Sequence, residues 1–134
     1  MTRAACVLLV LLTACGSKSA APAATVPDAT LPDLSRAENS VQEQIEASYR
    51  ALQSKPNDAD AYGAVGNLLL AAEYSDGAQP FYLHAQALAP NDVRWPYYLG
   101  HAYMNRASPD KAIASFERVL QLKPGDVPTL VWLG

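Results

Sequence analysis

Few residues of this chain have the types and spacing that catalysis or metal binding requires. The two histidines, His84 and His101, are not spaced as a metal-binding pair, and no H-E-x-x-H motif or cysteine ligand set accompanies them. No serine lies in a G-x-S-x-G motif. The sequence therefore predicts no catalytic residue, no metal site and no cofactor, and it favours a protein that is not an enzyme.

The chemistry that the sequence does indicate lies near the N-terminus. Arg3 precedes an apolar run, residues 4–12, which is too short to span a bilayer as a permanent helix. The run leads into Leu12-Thr13-Ala14-Cys15. This order resembles the lipobox of bacterial lipoproteins, and the resemblance implies cleavage before Cys15 and lipid attachment to its sulfur and new amino terminus. The alternative is an ordinary secretory signal followed by a chance cysteine.

The cysteine count and the charge agree with a lipid-anchored protein. Cys6 would leave with the signal and Cys15 would be acylated, so the mature chain could form no internal disulfide. Two or more acyl chains, such as palmitate, anchor a protein stably. By the same resemblance, Gly16 after the cysteine favours the periplasmic face of the outer membrane. The net charge of −3, without a cluster of Lys or Arg, argues against nucleic-acid binding.

Three segments follow from these patterns. Residues 1–14 are predicted to be the signal peptide, and residues 15–35 the acylated cysteine with an Ala/Pro-rich linker. Residues 36–134 are predicted to form one helical repeat domain. Leu31 and Leu34 leave the end of the linker open, because they could instead cap the first helix.

A period of 34 residues runs through the predicted domain. Glycines, prolines and aspartates return at this step: Gly66, Gly100 and Gly134; Pro56, Pro90 and Pro124; Asp58, Asp92 and Asp126. A fixed period in this range indicates a repeat architecture.

The central repeat resembles the tetratricopeptide repeat. Its L-G-x2-Y, A-x3-F and closing P positions are held by Leu99, Gly100, Tyr103, Ala112, Phe116 and Pro124. The resemblance implies an all-α fold in which antiparallel helix pairs stack as an α-α superhelix. Two full repeats are expected at about 59–92 and 93–126, with helices near 93–106 and 109–122 in the second. A lone N-terminal helix, 40–54, precedes them, and a partial third repeat, 127–134, suggests that the natural protein continues beyond Gly134.

Two prolines and one glycine refine this expectation. Pro80 and Pro96 each lie four residues after an aspartate whose carbonyl the missing N–H would normally bond, so both helices should start late or bend. Glycine inside a helix costs about 1 kcal/mol relative to alanine. Gly100, with Ala112 opposite, is therefore predicted to mark a close helix crossing.

In this family, first helices line the concave face and hold partner peptides. The resemblance assigns partner contacts to Asn67, Leu70, Arg94, Tyr97, His101, Met104 and Asn105. Asp60, Gly63 and Ala71 match the same face. Gly63 stands where a carboxylate-clamp groove needs lysine, so a packed peptide segment or helix is the expected partner.

The aromatic residues Trp95, Tyr97, Tyr98 and Tyr103 crowd one predicted helix. Tyr98 and Tyr103 are expected to pack between helices, whereas the roles of Trp95 and Tyr97 stay open. The predicted function is a protein-interaction scaffold, anchored to a membrane in the bacterial cell envelope. One alternative is the docking part of a longer enzyme with its catalytic domain beyond Gly134, and another is a groove for a small hydrophobic ligand.

Overall fold

A computed structural model describes residues 25–134, and within this range the chain forms helices and no strands. The six helices are α1 (Asn39–Gln53), α2 (Ala59–Ala71), α3 (Ser75–Leu88), α4 (Arg94–Asn105), α5 (Pro109–Leu122) and α6 (Val127–Leu133). The predicted all-α fold is confirmed. None of the helices in the described range combines the length and the apolar character needed to span a membrane.

The helices pack as consecutive pairs. The pairs α2–α3 and α4–α5 make the most extensive contacts, α3 packs on α4, and α1 and α6 add to the two ends. The short connections fold each helix back along its neighbour. The first helices α2 and α4 also touch each other, whereas no contact of that extent joins α3 to α5 in the described range. The first helices therefore lie on the inner side of the stack.

The helix starts show how one proline alters a repeat. Asp58 and Asp126 cap α2 and α6 by accepting backbone N–H bonds, and their carbonyls accept from Tyr62 N at 3.3 Å and Leu130 N at 3.0 Å. Pro96 holds the same register in α4 and has no N–H to donate. Helix α4 accordingly starts one residue later in the repeat than α2 and α6.

The expected late start is thus found for α4 but not for α3. Helix α3 begins at Ser75 and runs through Pro80.

Each helix pair turns through a non-glycine residue with positive φ. These residues are Glu73 (66°) and Ala107 (52°), which stand 34 residues apart. The residues that follow them, Tyr74 and Ser108, bond back to Leu69 O at 2.8 Å and Tyr103 O at 3.0 Å, which closes the C-terminus of each first helix.

Aromatic rings pack against glycines in the core of each pair. A Cβ placed on Gly100 would lie 2.6 Å from Phe116 Cε1, and one on Gly66 would lie 2.8 Å from Tyr82 Cε1. The two rings are at most 1% exposed. The close crossing at Gly100 is therefore present, and the group that requires it is the Phe116 ring rather than Ala112.

The end of the predicted linker is packed rather than extended away from the domain. Leu34 is only 6% exposed, Pro32 lies against Gly77 of α3, and Tyr49 of α1 donates its hydroxyl to the Ala29 carbonyl at 3.4 Å. Apolar side chains within residues 29–34 thus gain burial against α1 and α3, at the end of the linker that the sequence left open. The predicted signal peptide and Cys15 lie outside the described residues.

Candidate partner-binding surface

Five of the predicted partner-binding residues lie on α4, at three- and four-residue steps that place them on one side of the helix. Arg94, Met104 and Asn105 are exposed, and Tyr97 and His101 are half-buried. Met104 is 39% exposed although it is a large apolar side chain. Asn105 Nδ2 donates to Ser75 Oγ at 3.3 Å, which ties the end of α4 to the start of α3.

The two predicted residues on α2 differ from each other. Asn67 is exposed, and its Oδ1 accepts a hydrogen bond of 2.8 Å from the Tyr82 hydroxyl. Burial raises the pKa of Tyr82, so the hydroxyl keeps its proton and donates it. Leu70 is half-buried and packs against the hydrophobic core. Asn67 therefore presents its remaining polar atoms to solvent, whereas Leu70 mainly completes the packing.

Arg94 is not a free cation. Its guanidinium lies 2.8 Å from Asp60 of α2 and 2.6 Å from Asp92, and it covers the Trp95 ring at 4.5 Å. Hydrogen bonds from Arg94 lower the pKa of Asp92 below its usual value. The three charged groups carry a net charge of about −1 at neutral pH, so this edge of the surface is acidic.

His101 stands in an aromatic cluster that joins α4 to α5 and α6. Its ring centroid lies 4.6 Å from Tyr97, 5.4 Å from Phe116 and 4.9 Å from Trp132. Burial lowers the pKa of His101, so the ring is neutral at pH 7. Trp132 remains 47% exposed, and the cluster therefore has one open side.

The remaining aromatic residues mostly hold the stack together. Tyr98 stacks on Tyr82 with ring centroids 5.7 Å apart, and Trp132 stacks on Phe116 at 6.5 Å one repeat later. Trp95 is 2% exposed and lies over Gly63. Gly63, which was expected on the inner face, is therefore covered, and Trp95 belongs to the core.

An apolar pocket opens between the beginnings of α4 and α6. It has a volume of about 230 Å³ and is lined by Val93, Arg94, Tyr97, Tyr98, Val119, Asp126 and Pro128. Sequence reasoning found Arg94 and Tyr97 but missed Val119 of α5 and Pro128 of α6, because their meeting depends on how the repeats stack. A larger cleft of about 790 Å³ lies between the start of α1 and the turn from α2 to α3, and its lining includes Ser75, the hydrogen-bond partner of Asn105.

Comparison with known proteins agrees with a fold of stacked helix pairs. The tetratricopeptide repeat family matches residues 97–126, from the first helix of the central repeat through its second helix. Residues 97–126 of this chain therefore match a tetratricopeptide repeat. The crystal structure of MamA superposes on this repeat protein with a TM-score of 0.64 and 24% sequence identity, over 68% of this chain and 53% of the MamA chain. The chain thus spans about half the length of that structure, and no curated protein matches it.

The repeat protein has no group of three or more His, Cys, Asp or Glu side chains within residues 25–134 that could hold a metal ion. Four of its seven predicted partner-binding residues form two patches, one of Tyr97 with His101 and one of Met104 with Asn105 at the end of α4. These patches combine apolar rings, a thioether and amide groups, which suits the packing of a polypeptide.

Proposed function

We propose that this tetratricopeptide repeat protein is a protein-interaction scaffold of the bacterial cell envelope, which binds a peptide segment on its inner face and is held to the membrane by lipid on Cys15. The observation that carries the binding proposal is the exposed Met104 beside exposed Asn105, one turn from half-buried His101, on the face of α4 that the family resemblance assigns to partners. An exposed large apolar side chain among polar groups is a common feature of interaction sites.

The packing of the surface favours an apolar or mixed segment over a C-terminal carboxylate. Arg94 is already bound to two carboxylates, and the position that a carboxylate clamp fills with lysine is Gly63, under the Trp95 ring. A partner would therefore gain affinity by burying side chains against Tyr97 and Met104 and by bonding the Asn67 and Asn105 amides.

Site-specific photo-crosslinking tests the binding face. We would place p-benzoylphenylalanine at Met104 or, as a matched control, at Ile113, which is 45% exposed on α5. Both positions are exposed and apolar, but only Met104 lies on the proposed face. Irradiation of envelope preparations should give discrete protein adducts at position 104 and not at position 113.

Two results would count against the inner face as the binding site. The first is the absence of adducts at position 104 while the variant remains folded by circular dichroism. The second is equal adduct patterns at both positions, which would indicate non-specific contact.

The anchor proposal rests on the sequence alone. The apolar run and the Leu-Thr-Ala-Cys order support acylation of Cys15 and the outer-membrane location. Metabolic labelling with an alkyne fatty acid should mark the wild-type protein, and Cys15→Ala should lose both the label and the membrane association. An unlabelled wild-type protein would exclude the anchor without affecting the binding proposal.

A further inference from the structure

Consecutive first helices meet at two joints, and the first joint is filled by the chain itself. We define the first joint as the contact of α2 with α4. The second joint is the place where α4 and α6 approach through the rings of His101 and Trp132, whose centroids are 4.9 Å apart. At the first joint the Trp95 indole lies directly on Gly63. Arg94 then bridges Asp60 and Asp92 at its edge, with contacts of 2.8 and 2.6 Å.

The second joint has different residues at the same repeat positions. Thr129 replaces Trp95, Pro128 replaces Arg94, and Tyr97 replaces Gly63. Thr129 is fully buried, and its hydroxyl is bound to Asp126 Oδ2 at 2.8 Å. With no indole and no guanidinium at this register, a pocket of about 230 Å³ remains.

We infer that this pocket receives one aromatic side chain of the bound peptide, a proposal that rests on the proposed function. Its volume exceeds that of the engineered cavity of about 150 Å³ that binds benzene. Its walls include Val119, Pro128 and the rings of Tyr97 and Tyr98, and aromatic rings gain from edge contacts with other rings as well as from burial. The peptide ring would occupy the second joint as the Trp95 ring occupies the first.

The charges at the rim specify the neighbours of that side chain. Asp126 is paired with Lys123 at 2.8 Å, whereas Asp60 and Asp92 share the single guanidinium of Arg94. Of these charged groups, Arg94 and Asp126 line the pocket. Together with their ion-pair partners they leave one excess carboxylate beside it, which disfavours acidic residues. The ligand class is a peptide with an aromatic residue flanked by Lys or Arg.

Binding of small probes tests the pocket directly. In ¹⁵N-labelled full chain, N-acetyl-phenylalaninamide should shift the amides of Tyr97, Tyr98 and Val119, and N-acetyl-alaninamide should bind about ten- to a hundredfold more weakly. The peptide Ser-Lys-Phe-Lys-Ser should bind about fivefold tighter than Ser-Glu-Phe-Glu-Ser, with a smaller difference at high salt.

A pair of variants provides the matched control. Pro128→Phe places a ring at the pocket wall and should abolish probe binding, whereas Val127→Phe adds the same ring at a residue that is 67% exposed and does not line the pocket. Equal binding of the two amides, shifts elsewhere in the chain, or unchanged binding to Pro128→Phe would overturn the proposal. Adducts at position 104 that persist in Pro128→Phe would show that the inner face binds a partner without this pocket, so the two proposals fail separately.

Discussion

Replacement of Gly100 by alanine should destabilise the protein although alanine is the better helix former. In an open helix the change would stabilise by about 1 kcal/mol. Here the new Cβ would lie 2.6 Å from Phe116 Cε1 and 2.8 Å from both Cδ1 and Cζ. The ring is 1% exposed and cannot move away freely. Overpacking of a core costs about 1–3 kcal/mol, so we expect a net loss of up to about 2 kcal/mol.

A double-mutant cycle separates the steric cost from the helix preference. Phe116→Leu removes the ring edge that meets the new methyl group, and it should itself be destabilising because it leaves unfilled space. In that background Gly100→Ala should no longer destabilise and should become neutral or stabilising. The change of sign, rather than the size of either single effect, is the signature of direct contact.

Urea denaturation followed by circular dichroism measures these free energies. A loss of 1 kcal/mol corresponds to about 4–8 °C in Tm for a domain of this size, and an unchanged m value would indicate that the cooperative unit is preserved. Gly66→Ala, whose Cβ would lie 2.8 Å from Tyr82 Cε1, should behave alike. If Gly100→Ala stabilised the protein by about 1 kcal/mol in both backgrounds, the close crossing would be refuted.

Three further predictions concern single positions. Ala107 has φ of 52°, so Ala107→Gly should stabilise the fold by about 1 kcal/mol. As a control, Ala114→Gly on the exposed side of α5 should destabilise the fold by a similar amount. Equal effects of the two substitutions in thermal melts would contradict this prediction. Because burial lowers the pKa of His101, the unfolded chain binds a proton on this residue more tightly than the folded chain does. The folded state should therefore lose stability as the pH drops below about 6.5. In His101→Gln the Tm should change less between about pH 7.5 and 5.5 than it does in the wild type. Arg94 lowers the pKa of Asp92, so the stability that the Asp92 carboxylate contributes is present above its unfolded-state pKa and is lost as the pH falls through its folded-state pKa. Arg94→Gln should raise the folded-state pKa of Asp92 in a carboxyl NMR titration. An unchanged pKa would count against the ion pair.

The stack and its register could be predicted from the sequence because they depend on residues that repeat. Glycine at 66 and 100 and an aromatic ring sixteen residues after each place the two helices of a pair, and Pro96 predicts the delayed start of α4. Pro80 did not delay α3, because that helix begins well before it. A missing N–H decides a helix start only when the proline lies in the first turn.

The site was less predictable because its properties depend on contacts between repeats. A single repeat assigns Arg94 to the inner face but does not reveal that Asp60, one period earlier, neutralises it at 2.8 Å. It assigns Gly63 to the same face but does not show that Trp95 covers it. The packing of Leu34 likewise joins residues distant in sequence, and the Ala/Pro-rich composition around it gave no periodic signal.

Under the proposed binding mode, specificity for the partner resides in the positions that differ between the two joints. Gly66 and Gly100 face equivalent rings, so these positions hold the pairs together whatever the partner is. Gly63 and Tyr97 occupy equivalent positions but differ greatly in size, and only one of them can lie beneath an indole. A large residue on both sides of one joint would force the first helices apart, and a small residue on both would leave a void that weakens them. The chain has a glycine with tryptophan at one joint and a tyrosine with threonine at the other. At the second joint Trp132 of α6 contacts His101 and Phe116, and a pocket of about 230 Å³ remains.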